Sequence, residues 1–400
     1  MGARAVVILA AARTPIGKYG GALRDVHAAE LGAVAARATL DRARVPPDEV
    51  DEVIFGHARQ AGSGPNPARQ IGHRAGIPVR APAQTINKAC ASGLQAIASA
   101  AQSILLGESE CILAGGVESM SLMPYLVDAA DARWGHRMGN FELVDAMYRD
   151  GFQDPLSGLI MGETAEILAR QYGISREASD RFALESQQKA EAAQAAGHFT
   201  REIAPITVTD KGKSVVVDRD EHPRAGTTLE SLAKLPSVFK NVEGHEGIIT
   251  AGSSSGITDG GAALLLASDQ WAGDRNLTPI AKIAGWASAG VDPRVMGIGP
   301  VPAIQKLKEH YGLDMSYFDL VELNEAFAAQ VLAVLKDVPI PREKLNVNGG
   351  AIALGHPIGC SGARIVVTLV HELQRRKAKT GLATLCVSGG MGMAMAVEML

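Results

Sequence analysis

Aromatic residues are scarce in this 400-residue chain, and several common sequence signatures are missing. Phe, Trp and Tyr together make up 4% of the residues, whereas 44 residues are glycine. This composition favours close packing of helices on a sheet over an aromatic-lined barrel. The formal net charge is −4 and no long basic run occurs, so nucleic acid is not an expected partner. A GxGxxG fingerprint after the first apolar run and a Walker-type phosphate loop are also missing.

The chain has four cysteines, which are Cys90, Cys111, Cys360 and Cys386. Neither a CxxC spacing nor a zinc pattern with paired histidines occurs among them. This pattern indicates reduced thiols rather than a disulfide framework, so we expect a cytoplasmic protein. The first apolar run, residues 6–12, is too short to span a bilayer, and we expect no membrane insertion.

Short apolar runs alternate with longer helical patterns, which is typical of a largely parallel sheet covered by helices on both faces. The first part of the chain predicts strands at 6–12, 50–56 and 111–114 and helices at 28–43 and 93–106. The same order returns near the carboxyl end, with helices at 302–311 and 361–373 and strands at 318–323 and 383–387. Ser92-Gly93 and Ser361-Gly362 hold corresponding places in the two parts. We therefore interpret the chain as two duplicated α/β halves.

The segment between the halves has a different texture, richer in charge and histidine. Its long helix, residues 175–196, is capped by Ser175 and ended by Gly197. A long insertion inside such an array is usually functional, since it covers or completes a site. The expected units are 1–121 together with 250–275, an inserted segment 122–249, and 276–400, with the strand at 262–267 rejoining the first half.

Two cysteines are candidates for chemistry. Cys90 lies in NKACASG at a strand-to-helix junction, where backbone N–H groups and the helix dipole favour a thiolate. The alternative is a small buried hydrophobic residue, which most free cysteines are. Cys386 lies in CVSGGMG, where a strand meets a glycine-dense turn. Alone it would be a core cysteine, but its place in the second half mirrors that of the first-half site.

His356 and Asn324 are the other candidates. His356 lies in the glycine-rich run NGGAIALGHPIG and could act as a general base, although a histidine before proline is often a loop residue. Asn324 follows a predicted strand and could hold a water or a substrate carbonyl, or cap the next helix. Cys111 and Cys360 are expected to be packing residues. His57 and His73 are expected to be loop residues.

Five segments together resemble the thiolase family over essentially the whole chain. They are NKACASG around Cys90, MGETAE from Met161, NEAFA from Asn324, NGGAIALGHPIGCSG, and CVSGGMG. The resemblance implies an α/β thiolase-like fold, in which two duplicated βαβαβαββ halves stack as α/β/α/β/α layers. Each half would contribute a five-stranded mixed sheet, and the inserted segment would be a loop domain that covers coenzyme A.

The resemblance also implies roles for named residues. Cys90 would be the acylated nucleophile, His356 its base, and Cys386 the acid/base at the α-carbon. Asn324, through a water, and His356 would bind the thioester oxygen, and the N–H groups of Cys90 and Ser388 would bind the oxygen of the acyl-enzyme. The implied coenzyme A contacts are Arg224, Ser255, Met161, Met296 and Phe327.

The implied reaction is reversible. An acyl-CoA and acetyl-CoA would give a 3-ketoacyl-CoA and free CoA, as in fatty acid metabolism and β-oxidation. The expected partners are therefore acyl-CoA, acetyl-CoA and CoA. No permanently bound cofactor and no metal are expected, and the implied assembly is a homodimer or homotetramer.

Two residues depart from the family pattern. Many thiolases have glycine where Ser388 stands, so a strained backbone there would cost serine more. Ile160 stands where the acetoacetyl-specific branch has histidine, which favours a broader 3-ketoacyl range.

A ketoacyl-synthase-like enzyme would carry a second histidine in place of Asn324 or Cys386, and a non-catalytic carrier would lack one of the catalytic side chains.

Overall fold

The computed structural model describes residues 4–400, and in these residues the predicted alternation of strands and helices is present. The strands are β1 Val6–Arg13, β2 Gly17–Lys18, β3 Glu52–His57, β4 Ala83–Ile86, β5 Cys111–Ser119, β6 Tyr125–Leu126, β7 Val144–Asp145, β8 Ile206–Asp210, β9 Lys213–Val217, β10 Thr258–Ser268, β11 Ala281–Gly290, β12 Leu320–Leu323, β13 Thr380–Val387 and β14 Met391–Met399. The helices are α1 Ala28–Ala43, α2 Pro67–Arg74, α3 Ser92–Leu106, α4 Ala129–Trp134, α5 Met161–Gln171, α6 Arg176–Ala195, α7 Leu229–Ala233, α8 Asp269–Asp274, α9 Pro300–Tyr311, α10 Ala328–Asp337, α11 Ala351–Leu354 and α12 Ile358–Arg376.

The main sheet contains the same strand arrangement twice. Its order is β12-β13-β14-β11-β1-β10-β5-β3-β4, with β2 added beside β10. In the first half β3 and β5 are parallel, while β5, β10 and β1 are successively antiparallel. In the second half β12 and β13 are parallel, while β13, β14 and β11 are successively antiparallel. This correspondence confirms the duplication.

The two halves of the sheet differ at their outer edges and are connected by a short antiparallel strand pairing. A single parallel bridge between Val321 and Leu345 occupies the place that β4 has in the first half. The second half thus presents four regular strands and this bridge instead of the five strands expected. Between the halves, β1 pairs with β11 only through Val7 with Lys282 and Ile8 with Ala281.

The helices form three layers around the two halves of the sheet. Helices α1 and α2 cover the outer face of the first half, α9 covers that of the second, and α3 and α12 pack against each other in between. Small residues permit this close central contact, because a Cβ on Gly93 would lie 2.8 Å from the nitrogen of Ala363, and one on Gly362 would lie 2.5 Å from the nitrogen of Leu94. The segment 89–106 is apolar enough to cross a membrane, but α3 is packed in the largest apolar cluster and is a core helix.

Several boundaries differ from those predicted. Strand β5 continues through Gly115 and Gly116 to Ser119, since a strand can contain glycines where another backbone approaches. A Cβ on Gly116 would lie 2.3 Å from the carbonyl oxygen of Gly359. Helix α12 begins directly after Pro357 rather than at Ser361. The loop prediction for His57 and His73 is wrong, because they lie in β3 and α2.

The residues between β5 and β10 carry the short strands β6 to β9 and the helices α4 to α7, of which α6 is the longest. Strands β6 and β7 form one small sheet, and β8 and β9 form another. Helix α6 is as predicted: the Ser175 side chain accepts a hydrogen bond from the nitrogen of Ala178 at 3.1 Å, and Gly197 is left-handed with φ of 70°.

Candidate active site

Cys90 lies in a braced turn between β4 and α3. Ala89 has a left-handed backbone with φ of 44°, which is costly for alanine and persists only where its surroundings enforce it. The nitrogen of Ala89 donates to Oδ1 of Asn87 at 3.0 Å. The hydroxyl of Ser92 donates to the carbonyl of Ala89 at 2.7 Å and accepts from the nitrogen of Lys88 at 2.9 Å. The turn therefore holds Cys90 in place before substrate arrives.

The surroundings keep the Cys90 thiol protonated at rest. Burial raises its pKa, and the charge of Glu118 adds to this effect. Hydrogen bonds to the sulfur from the backbone N–H groups of Ser388 and of Cys90 itself, together with the charge of Arg59, act in the opposite direction. Burial outweighs the helix-start effect expected from the sequence, so the thiol needs a base to become a nucleophile.

His356 is positioned to be that base. Its nitrogen donates to the carbonyl of Gly256 at 3.0 Å, and its Nδ1 lies 2.5 Å from the Ser361 hydroxyl. That hydroxyl donates to the carbonyl of Pro357 at 3.0 Å, so we assign the imidazole proton to Nδ1. Nε2 then carries the lone pair, and it is buried without a partner.

The imidazole is neutral in the folded protein. Burial, with the charges of Arg364 and Arg59, lowers the pKa of His356 to about 3. Ile358, two residues after His356, packs in one apolar cluster with Cys90, so these two segments are neighbours. A neutral imidazole with a free Nε2 can accept the thiol proton.

Cys386 lies near the end of β13, in a small cluster with Met296 and Ala326. Burial raises the pKa of its thiol, and negative charge on Cys90 would raise it further. A thiol that holds its proton this firmly is suited to protonating a carbanion.

Asn324 directly follows β12, and its nitrogen donates to the carbonyl of Thr384 at 3.0 Å. Both polar atoms of its side-chain amide are buried without a partner. It does not cap the next helix, because α10 begins only at Ala328. A buried unpaired amide is uncommon and indicates a place for a water or a ligand atom.

A cavity of about 740 Å³ opens beside the Cys90 turn. Ala89 and Ser388 line it next to the sulfur, and Met161 and Leu156 line it from the inserted segment. The Cys90 turn borders this cavity, and Met161 both lines it and packs in the cluster of Cys386. Two thiols, a neutral imidazole and an unpaired buried amide are the reactive groups of this region. This combination can stabilise an enolate and transfer an acyl group.

Comparison with known proteins agrees with this chemistry. The family description "Thiolase, N-terminal domain" matches residues 6–270, and "Thiolase, C-terminal domain" matches residues 277–399. The chain belongs to the thiolase family. A thiolase is an acyltransferase that acts on CoA thioesters.

Similar proteins cover almost the whole thiolase chain. The acetyl-CoA acetyltransferase of Chromobacterium violaceum is 52% identical over 394 residues, which is 98% of this chain and 99% of the relative. The crystal structure of the Bacillus anthracis acetyl-CoA acetyltransferase is 47% identical, with a TM-score of 0.95 and 99% of both chains covered. The human mitochondrial 3-ketoacyl-CoA thiolase in complex with CoA is 45% identical, with a TM-score of 0.94 and 99% of this chain and 98% of that chain covered.

Four of the five residues that the thiolase resemblance implies for CoA contact lie together. Met161, Met296 and Phe327 belong to the Cys386 cluster, and the nitrogen of Ser255 donates to the carbonyl of Ala326 at 3.0 Å. Arg224 is exposed. Its nitrogen donates to Oε1 of Gln187 on α6 at 2.9 Å, and this contact does not join it to the cluster.

Ser388 is not strained. The left-handed residues of its turn are Gly389 and Gly390, with φ of 82° and 80°. The condition under which serine would cost more than glycine, a strained backbone, is therefore not met at this position. Ser388 lines the cavity beside the Cys90 turn together with Ala89.

Glu118 and Arg59 are not among the residues that the sequence predicted for the site. Glu118 is fully buried in β5 and accepts from the nitrogens of Gly359 at 2.8 Å and Arg59 at 3.2 Å. His57 Nε2 lies 3.0 Å from the same carboxylate. Glu118 thus ties the first turn of α12, which follows His356, to the end of β3. The sequence signal that could have identified Glu118 is a carboxylate within an otherwise apolar strand.

Proposed function

We propose that Cys90, His356, Cys386 and Asn324 are the catalytic residues of this thiolase, and that they cleave and form 3-ketoacyl-CoA through an acyl group on Cys90. The observation that carries the proposal is a set of buried polar side-chain atoms without partners, which includes Nε2 of His356 and both polar atoms of the Asn324 amide. A ketoacyl-synthase-like enzyme and a carrier are not supported, because a thiol stands at position 386 and the full acid/base set is present.

In the cleavage direction, the Cys90 sulfur attacks the 3-keto carbon while its proton moves to Nε2 of His356. Because the imidazole is a weak base at this buried place, this proton moves as the sulfur attacks. The oxygen of the tetrahedral adduct faces the N–H groups of Cys90 and Ser388. Collapse breaks the carbon–carbon bond and leaves an acyl group on Cys90 and the enolate of acetyl-CoA.

The second stage restores the enzyme. The enolate oxygen faces His356 and the Asn324 amide, and Cys386 gives its proton to the α-carbon to form acetyl-CoA. A new CoA thiol then gives its proton to the Cys386 thiolate and attacks the acyl carbon. Cys90 leaves and takes its proton back from His356, so every proton is returned.

Separate half-reactions test these roles. Cys386→Ala should still be acylated at Cys90 by acetyl-CoA, because this transfer needs no proton at the α-carbon and the departing CoA thiolate can take its proton from water instead of Cys386. It should fail to exchange α-protons of acetyl-CoA with deuterium, and cleavage should fall by about 10²–10⁴-fold, the usual effect of a positioned acid/base. Cys90→Ala should lose acylation itself. Intact-protein mass spectrometry and deuterium incorporation measure the two steps. Wild-type exchange by Cys386→Ala would disprove the assignment of Cys386.

We also propose a 3-ketoacyl range broader than acetoacetyl-CoA. Ile160 is the half-buried residue before the first turn of α5, one position before the cavity residue Met161. An apolar side chain discriminates weakly, since one methylene in such a pocket is worth roughly 1–3 kcal/mol. Initial cleavage rates should therefore change gradually from acetoacetyl-CoA to 3-oxohexanoyl-CoA, and an abrupt loss of rate would contradict the proposal. A cytoplasmic location remains part of this proposal, and the cysteines of the described residues are all free thiols.

A further inference from the structure

Arg59 is a buried cation for which the described part of the chain offers no carboxylate partner within 4.0 Å. It follows β3 and is 6% exposed. Its Nη2 donates to the carbonyl of Gly151 at 2.8 Å, while Nε is buried without a partner. Burying an unpaired guanidinium is unfavourable, and such groups are usually matched by an anion. An anion that arrives with the substrate would supply the match.

Two of the carboxylates near Arg59 accept hydrogen bonds from other donors, and a third, that of Asp150, lines the same cavity but is exposed and forms no ion pair with Arg59 within 4.0 Å. The two oxygens of Glu118 accept from backbone nitrogens, one of which is that of Arg59 itself. Asp154 accepts from the nitrogens of Leu156 and Ser157 and from the Ser157 hydroxyl at 2.7 Å. The guanidinium head of Arg59 is therefore not used by these neighbours.

The position of Arg59 identifies which part of a substrate it would meet. It lines the cavity that Ala89 and Ser388 border next to the Cys90 sulfur. The implied CoA contacts Ser255, Met296 and Phe327 are not among the residues that line this cavity, and Met161 lies where the two regions meet. The acyl group carried on Cys90, rather than the phosphates of CoA, is the part that would extend toward Arg59.

We infer that Arg59 is a specificity residue that binds a carboxylate at the far end of the acyl group, so that the substrates include 3-ketoacyl-CoA thioesters of dicarboxylic acids. This inference rests on the proposed function. A guanidinium suits the task because its planar fork can donate two parallel hydrogen bonds to one carboxylate. The single existing bond to Gly151 fixes the side chain and leaves further donors free.

Two thioesters of equal chain length test the inference. The values of kcat/KM are measured for 3-oxoadipyl-CoA, which ends in a carboxylate, and for 3-oxohexanoyl-CoA, which ends in a methyl group. The wild-type ratio should favour 3-oxoadipyl-CoA. Arg59→Leu should lower this ratio by about 10–100-fold, the usual effect of losing a charge-assisted hydrogen bond. Because both substrates contain the same CoA, a general loss of activity cancels in the ratio.

A second variant displaces the Arg59 side chain without replacing it. A Cβ on Gly151 would lie 2.7 Å from Nε of Arg59, so Gly151→Ala should displace the guanidinium and also lower the ratio. Arg149 lines the same cavity but is exposed, and its Nη2 lies 4.0 Å from Asp128. The control Arg149→Gln should change the ratio by no more than about twofold, because exposed charges contribute little.

The outcomes separate this inference from the proposed function. If the wild-type enzyme cleaves neither thioester, the proposed function fails. If it cleaves both but does not prefer 3-oxoadipyl-CoA, or if Arg59→Leu keeps the wild-type ratio, the inference alone is overturned. An equal rise in KM for both thioesters in Arg59→Leu would mean that the guanidinium binds CoA, and this result would also overturn it.

Discussion

The two thiols of the site are both held in the neutral form, yet their surroundings suit them to different steps. Cys90 is half-buried and receives backbone N–H groups that would stabilise negative charge on its sulfur or on a bound acyl oxygen. Cys386 is 1% exposed and lies among apolar side chains that disfavour such charge. The first residue is therefore equipped to attack and the second to hold a proton.

The reactivity of Cys90 should depend on pH in a defined direction. Because burial raises its pKa above the ordinary value of 9.0, the thiolate fraction should still be increasing above pH 9. Alkylation by iodoacetamide should therefore accelerate through pH 9, and peptide mapping should find Cys90 modified before the fully buried Cys111 and Cys360. A rate that levels off below pH 8 would contradict this, and Cys90→Ala serves as the control for background labelling.

The residues of the site differ in how well the sequence predicts them. Cys90, His356 and Cys386 each lie in a short glycine-rich motif, so local sequence indicates them. Arg59 and Glu118 carry no such motif, and their meaning depends on contacts between distant segments. Arg59 reaches Gly151, 92 residues away, and Glu118 reaches Gly359, 241 residues away. Only the folded sheet brings these pairs together.

At the scale of elements, strand β5 and the start of helix α12 are in unusually close contact. Gly116 of β5 lies against Gly359 of α12, and Gly93 of α3 lies close to both of these glycines. Alternation of apolar runs was enough to predict that β5 and α12 exist. The exact limits of β5 and α12 depend on this contact. The contact joins two distant segments, so the apolar periodicity within either segment cannot predict it. The contact matters for function because His356 immediately precedes α12.

Gly116→Ala should disturb this contact and destabilise the protein. The new Cβ would lie 2.3 Å from the carbonyl oxygen of Gly359 and 3.0 Å from the Cα of Cys360, both backbone atoms. Overpacking of this kind costs typically about 1–3 kcal/mol, and we expect cleavage activity to fall with the displacement of the first turn of α12, which follows His356. Chemical denaturation and initial rates measure the two effects.

Gly273→Ala is the matched control for that variant. No atom lies within 4 Å of a Cβ built on Gly273, which belongs to helix α8. Alanine is favoured over glycine in a helix, so this variant should be as stable as the wild type or more stable by about 0.4–1 kcal/mol. Equal stability of Gly116→Ala and Gly273→Ala would show that the close approach at β5 does not constrain the fold.

At the scale of the whole molecule, the inserted segment exposes more apolar surface than a separate chain would normally leave in water. Several large side chains are involved, and they are Tyr125, Val127, Trp134, Met138, Phe141 and Leu143. Trp134 and Met138 are 83% and 88% exposed. Large exposed apolar patches usually mark an interface with another chain. A homodimer or homotetramer, which the sequence alone suggested only by resemblance, would cover this patch.

We therefore expect the protein to be a homo-oligomer that depends on this segment. The double variant Trp134→Ser, Met138→Ser should shift the mass measured by sedimentation or light scattering toward a smaller species. The fold of each chain should persist, because these side chains lie outside the buried core, and circular dichroism checks this. Val216→Ser is the control: Val216 is 60% exposed on the separate β8–β9 hairpin, and its loss should leave the mass unchanged. An unchanged mass for the double variant, or a monomeric wild type, would show that the exposed segment has a role other than self-association.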